Sequence, residues 1–370
     1  MKQQDPEQLL SSFQAGECTP EELALVEAYI NYEGITNQDL LEIEADLIEY
    51  KNKGYLIPTK YKIIGWPFKI LFIAAAVAVV ASFWAVLFTN PSNLPTSYSS
   101  DVNPGGNKAL LTLENGKKIQ LNDSKTGVVI DATKLSYNDG TIINNERPGR
   151  IKITTPKGGT YQVRLPDGST VWLNSASSLT YNKSSINGVE ARRVNLTGEA
   201  YFEVSKNKQL PFIVTTRKQV VTVLGTHFNI SSYENQAADK TTLLEGSVRV
   251  ELIADSGKLM SARTEILKPG EQAITLGSQI QVAHPDPKIA SSWKDGEFAF
   301  RNESLEDILN DVSRWYDIEV VYEDPGLKKR LFGGMMSKHE KVSKVLQMLE
   351  LAAEDVKFDI QGKKIIVAKK

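Results

Sequence analysis

The chain has 370 residues, with 43 Lys and Arg against 45 Asp and Glu. Its formal net charge of -2 hides an asymmetry: up to Pro58, twelve acids face three lysines, a local charge of -9 that repels nucleic acid and suits a basic partner. Cys18 is the only cysteine, which excludes a disulfide framework and any cysteine-based metal site.

Residues 1–60 predict a small helical unit. Asp5-Pro6 opens a first helix with Leu9, Leu10 and Phe13 on one face, and Gly16 ends it. Thr19-Pro20-Glu21-Glu22 places threonine at an N-cap, proline at the first helical position and glutamate at the third, a capping box for a second helix. Leu23, Val26 and Ile30 form its apolar face, and Leu40, Ile43, Leu47 and Ile48 continue the spacing in a third segment. So thin a core gains stability by docking on a partner.

Ile70 to Phe88 is an unbroken apolar run in which Ser82 is the only polar side chain. As a helix it spans roughly 28 Å, close to the hydrocarbon thickness of a bilayer. Lys60, Lys62 and Lys69 precede it, whereas Thr89 to Ser100 carries no charge. The positive-inside rule therefore predicts a single-pass protein of the inner membrane with its N-terminus in the cytoplasm and its larger part in the periplasm.

Residues 89–108, rich in Pro, Ser, Asn and Gly, read as a linker. Alternating apolar residues then predict an all-β domain over 109–285, either a sandwich or a stacked, solenoid-like sheet. Asn115-Gly116 and Asp167-Gly168 are hairpin turns, and the residues around them match at a constant offset, as in a duplicated unit. Over 293–368 the pattern becomes two strand-helix-strand units, a small α+β domain. Ser304 caps its first helix with Asp307 at the third position, Leu305, Ile308, Leu309, Val312 and Trp315 lie inward, and Val342, Val345, Leu346 and Leu349 line the second helix. The fold class is thus a multi-domain membrane protein: helical cytoplasmic unit, one transmembrane helix, all-β periplasmic domain and α+β C-terminal domain.

The residues that carry chemistry are sparse. His227, His284 and His339 lie on different elements and have no metal-ligand spacing; no P-loop, dinucleotide fingerprint or nucleophile elbow occurs. Asp167 and Glu203 are a conceivable glycosidase pair, but Asp167 is explained by its turn. Trp172, Tyr201, Phe202 and Trp315 read as core rather than as a ligand platform. No catalytic residue, metal or cofactor is expected.

Several stretches resemble the FecR family of bacterial transmembrane anti-sigma regulators. They are Thr155-Pro156-Lys157-Gly158-Gly159, the run Leu165 to Ser177, Leu196-Thr197-Gly198-Glu199-Ala200-Tyr201-Phe202-Glu203-Val204, Val223 to Asn229, Leu244-Glu245-Gly246-Ser247-Val248 and Leu267 to Ala273. Trp293 to Val367 resembles the C-terminal domain of Bacteroidetes members, which is similar to the short N-terminal domain of secretins and TonB-dependent receptors. Gly16 to Glu22 fits the family's N-terminal pattern, except that Ala28 and Tyr29 stand where many members carry a tryptophan.

The resemblance implies that an extracytoplasmic-function sigma factor binds the cytoplasmic helices, here through Leu9, Leu10, Phe13, Leu23, Val26 and Ile30. It implies a signal from a TonB-dependent outer-membrane receptor, and regulatory proteases act in some members. Strand addition at sheet edges would place the receptor on Glu319, Val320, Val321 and Tyr322 and on Ile365, Ile366 and Val367. The rival reading is a membrane-anchored glycan-binding module, which predicts aromatics exposed on one concave face.

Overall fold

The computed structural model describes residues 101–370 apart from 132, 145–148, 187–188, 255–258 and 354. The expected cytoplasmic helices with Leu9, Leu10, Phe13, Leu23, Val26 and Ile30, and the Ile70–Phe88 span, lie outside the described residues. Among those described, no helix is long and apolar enough to cross a membrane.

Alternation of apolar and polar residues builds the β domain. Ile151 and Ile153, Val221 and Val223, and Val248, Val250 and Leu252 all turn inward. The pairings form one 19-stranded network that folds into two layers. One layer runs from Lys118–Gln120 through Leu110–Leu113, Ile151–Thr155 and Ser177–Ile186 to Val189–Glu203, then on through Phe212–Thr215, Gln219–Val223 and Val248–Ile253 to Leu259–Leu267. The other layer includes Gly127–Ile130, Gly159–Arg164, Thr170–Leu173, the second half of Val189–Glu203, His227–Ser232, Asp239–Glu245, Gln272–Leu276 and Gln279–Ala283.

Buried residues of both layers join in a single core, in which Phe202 stacks on Phe228 at 4.9 Å and meets Phe212 edge-on. From Phe212–Thr215 onward successive hairpins fall alternately on the two layers, so this part of the sandwich grows by stacking. Each of the two expected architectures describes part of the domain.

The strand Val189–Glu203 serves both layers, crossing at Gly198. There φ is +88°, and a Cβ would lie 2.4 Å from Ser177 Oγ, so only glycine makes the crossing. The two hairpin turns share their hydrogen bonds: Leu113 N–H donates to Lys117 O and Gly116 N–H to Leu113 O, as Leu165 N–H does to Ser169 O and Gly168 N–H to Leu165 O. Tyr137-Asn138-Asp139-Gly140-Thr141 repeats the pattern a third time. The similarity belongs to the turn, because the first two hairpins lie on opposite layers.

The α+β domain follows the expected order. Helix α1 (Pro287–Ser291) leads in; α2 (Leu305–Tyr316) and α3 (Val342–Ala352) then share one core with a two-stranded and a three-stranded sheet. Ser304 caps α2 by accepting from Asp307 N–H at 3.1 Å and donates its own hydroxyl to Asp307 Oδ2 at 2.7 Å, the expected N-cap with Asp307 at the third position.

Two expectations are corrected. Lys364–Lys369, which holds Ile365, Ile366 and Val367, is not an edge: it is the middle strand, parallel to Glu319–Tyr322 and antiparallel to Val356–Gln361. Its backbone is already paired on both sides, with Ile365 and Val367 fully buried, so it cannot accept an added strand. The stretch expected as a linker is pinned from Asp101 onward, since Gly106–Asn107 pairs with Gly159–Thr160 and Val102 packs on the C-terminal core.

Candidate functional site

The feature that sets the two domains in order is a polar junction on the outer face of the second layer. Alternation along Thr170–Leu173 and Val189–Glu203 sends Val171, Leu173, Ala200 and Phe202 into the core and Trp172, Glu199 and Tyr201 to the other side. Glu199 accepts from Asn174 Nδ2 at 2.7 Å and from Asn229 Nδ2 at 2.9 Å. Asn229 Oδ1 in turn accepts from the Trp293 indole N–H at 3.1 Å, which ties the start of the C-terminal domain to the sheet.

The C-terminal domain answers with two buried cations. Arg314, 5% exposed, lays its guanidinium 3.8 Å from the centre of the Tyr233 ring and pairs with Asp311. Tyr233 itself is fixed by donating to Ser175 O at 2.9 Å. Lys338, 2% exposed, places its ammonium 4.2 Å from the centre of the Trp315 ring and between Trp293 and Phe298. Lys240 and Glu303 form a further ion pair across the junction at 3.4 Å.

Asn174, Glu199, Asn229, Lys240, Glu303, Arg314 and Lys338 line a cleft of about 470 Å³. Burial pushes the Glu199 carboxyl up to about 7, with repulsion from Asp311 adding to it and the two asparagine hydrogen bonds and Arg314 opposing it. Burial also holds the Lys338 ammonium down to about 8, against the pull of Glu199 and Asp311.

A second contact brings in the segment that precedes the β domain. The carbonyl of Arg314, near the end of α2, accepts from Gly158 N–H at 2.8 Å. Gly158 has φ +68°, and a Cβ on Gly105 would lie 2.8 Å from the Trp315 carbonyl, so glycine at both positions permits the approach. Nearby, Lys341 gives α3 no side-chain cap. Asp101 supplies one, accepting from Ser343 N–H at 3.1 Å and Ser343 Oγ at 2.8 Å, while Val342 N–H donates to Val102 O. The β domain, the C-terminal domain and residues 101–107 thus meet at one place.

The structure gives the other weighed residues structural tasks. Asp167 accepts from Ser169 in its turn and pairs at 3.0 Å with buried Arg192. His227 is half-exposed, 3.6 Å from Glu245, and among the described residues no group of three or more His, Cys, Asp and Glu is arranged to hold a metal. Phe202 and Trp315 are core residues, as expected. Trp172 and Tyr201 lie on the other side of the layer, edge to face at 5.7 Å with Lys294 over both rings; Tyr201 is buried there and Trp172 half-buried. Glu319–Tyr322 is an outer strand of its sheet, while Asn174, Glu199, Asn229, Arg314 and Lys338 form a junction that pattern reading does not assemble.

Over the described residues, fold and junction define a stacked β domain that carries a small α+β domain as one built unit. The model of the FecR protein family matches residues 151–249, and that of the FecR C-terminal domain matches residues 297–367. The chain belongs to the FecR family. Two crystal structures of a candidate anti-sigma factor from Parabacteroides distasonis, at 2.50 and 1.65 Å, are similar to it. Each is 26% identical, with TM-scores of 0.53 and 0.52, and covers 60% and 59% of this chain and 99% of the solved chain. No curated protein sequence matches.

Proposed function

We propose that this chain is an anti-sigma regulator that relays a signal across the inner membrane. Its FecR domains and its likeness to a candidate anti-sigma factor support the regulatory role. In this reading Ile70–Phe88 crosses the membrane, residues 1–60 hold an extracytoplasmic-function sigma factor in the cytoplasm, and the C-terminal domain receives a TonB-dependent receptor in the periplasm, with regulatory proteases as further partners.

The observation that carries the relay is the three-way contact at Asp101, Gly158 and Arg314. Twelve residues separate Phe88 from Asp101, and Asp101 caps a helix of the proposed receptor-binding domain. A change in that domain therefore reaches the chain just outside the proposed span without passing through the whole β domain. The family's hallmark residues Asn174, Glu199, Asn229 and Gly158 hold the C-terminal domain.

Sigma-factor binding is tested by copurification with the full chain. An anchor in a desolvated groove costs at least about 2 kcal/mol on truncation, roughly 30-fold in affinity. Changing Leu10 and Phe13 together to Ala should release the sigma factor; undiminished retention by a folded double variant would refute this surface. An alkaline-phosphatase reporter inserted after residue 50 should be silent, and activity there would overturn the orientation.

A further inference from the structure

The cleft at the junction holds two ionisable side chains of opposite sign that do not pair with each other. Glu199 comes from the β domain and Lys338 from the C-terminal domain, and both form part of the wall. Among the described residues the Glu199 carboxylate accepts from the amides of Asn174 and Asn229, at 2.7 and 2.9 Å, and from no cation. The Lys338 ammonium donates to Trp293 O at 3.4 Å and otherwise faces the rings of Trp315, Trp293 and Phe298.

The other charges of the wall are matched. Arg314 pairs with Asp311 and Lys240 with Glu303, and Asp286 accepts from Lys288 N–H as the cap of α1. Glu297 and Arg301, opposite in sign, lie on one strand, where Arg301 is exposed. Burying an ion without a counter-charge is costly, and amide hydrogen bonds or aromatic faces offset part of that cost. A ligand with one positive and one negative end supplies the missing partner at both sites. A dianion would instead be repelled by Glu199, and a diamine by Lys338.

Size and lining fit a small molecule. A volume of about 470 Å³ lies within the usual range of ligand pockets, and Ile289, Phe298 and Phe300 give the cleft an apolar side.

We infer that the cleft binds a small zwitterion with an apolar body, the chemistry of a free α-amino acid. Its carboxylate lies against the Lys338 ammonium, its ammonium against Glu199, and its side chain against Ile289, Phe298 and Phe300. Such a ligand touches both domains, so its binding stabilises the junction by mass action. The inference rests on the junction alone and is independent of the relay reading.

The test is a titration of the full chain in mild detergent at neutral pH with L-leucine, followed by tryptophan fluorescence, because Trp293 and Trp315 flank the Lys338 ammonium. Leucine should bind with a Kd of about 1 mM or tighter, and at roughly ten times that Kd it should raise the urea midpoint. N-acetyl-L-leucine lacks the positive end and L-leucinamide the negative one; each should bind at least about tenfold more weakly. Glu199→Gln should erase the preference for leucine over N-acetyl-L-leucine. Lys338→Met, which keeps an unbranched side chain among the three rings, should erase the preference over L-leucinamide. Ala290→Trp, placed on α1 in the same wall, fills the cleft without altering either charge and should abolish binding; it decides the matter if a charge variant fails to fold.

No leucine binding up to about 10 mM would overturn the inference. So would equal binding of either blocked analogue, which identifies the end of a peptide as the occupant, or wild-type affinity in folded Ala290→Trp.

Discussion

Replacing Glu199 with Gln probes the electrostatics of the junction directly. Its carboxyl is displaced from 4.5 to about 7, chiefly by burial. A folded value above the unfolded one means that the folded protein holds this proton more tightly. The stabilising contribution is therefore complete below about pH 4.5 and is lost as the pH rises through 7. At about 1.36 kcal/mol for each pH unit between the two values, the loss is on the order of 3 kcal/mol. Lys338 acts in the opposite sense: its ammonium falls from 10.5 to about 8, so its contribution is present above the unfolded value and is lost as the pH falls through 8. The two slopes leave the junction least stable between about pH 7 and 8. Urea unfolding of the full chain in mild detergent reads this, because Trp172, Trp293 and Trp315 all lie at or beside the junction and report it by fluorescence. Wild type should lose stability from pH 5 to 7.5. Glu199→Gln should flatten most of that slope, with Glu303, also raised by burial, retaining a remainder. At pH 7.5 the gain is offset by about 1–3 kcal/mol, since one amide group of Gln faces an asparagine donor. A flat wild-type profile between pH 5 and 7.5, or an undiminished slope in Glu199→Gln, would refute the reasoning.

Arg314→Ala removes a buried guanidinium that packs on the Tyr233 ring and pairs with half-exposed Asp311, a loss of about 1.5–3 kcal/mol; limited proteolysis should then cut between residues 284 and 296, and wild-type resistance would contradict it. Trp315→Ala deletes a ring that is 5% exposed and whose indole N–H donates to Lys338 O, so the C-terminal domain should lose about 3–5 kcal/mol, checked by the same urea unfolding.

Local signals in the sequence carry most of the fold. The Ser304 N-cap with Asp307 at the third position, the Asn-Gly and Asp-Gly turns, and the apolar faces of both C-terminal helices depend on neighbours a few residues apart, and they appear where their spacing puts them. Sheet order does not: Lys364–Lys369 lies between Glu319–Tyr322 and Val356–Gln361 through a parallel pairing of distant segments, which alternation cannot reveal. Burial alone does not give facing: Tyr201 is buried and Trp172 half-buried, yet the period of two set by Val171, Leu173, Ala200 and Phe202 puts both rings on the other side of the layer from that core. The junction left no trace: Glu199 and Asn229 lie in strands that carry other polar residues, Arg192, Asn195, His227 and Ser231 among them. Arg314 and Trp293, the partners of Glu199 and Asn229, are more than sixty residues away, beyond any local pattern.

The central claim is that the C-terminal domain receives the signal and the cytoplasmic helices hold the sigma factor. Cells carrying a chain that lacks residues 293–370 test both at once, by measuring sigma-dependent transcription with and without inducer alongside the amount of sigma factor that copurifies with the chain. The account predicts that the sigma factor stays bound and that transcription no longer responds to inducer. A normal response in the deletion strain, or a wild-type chain that retains no sigma factor, would contradict it.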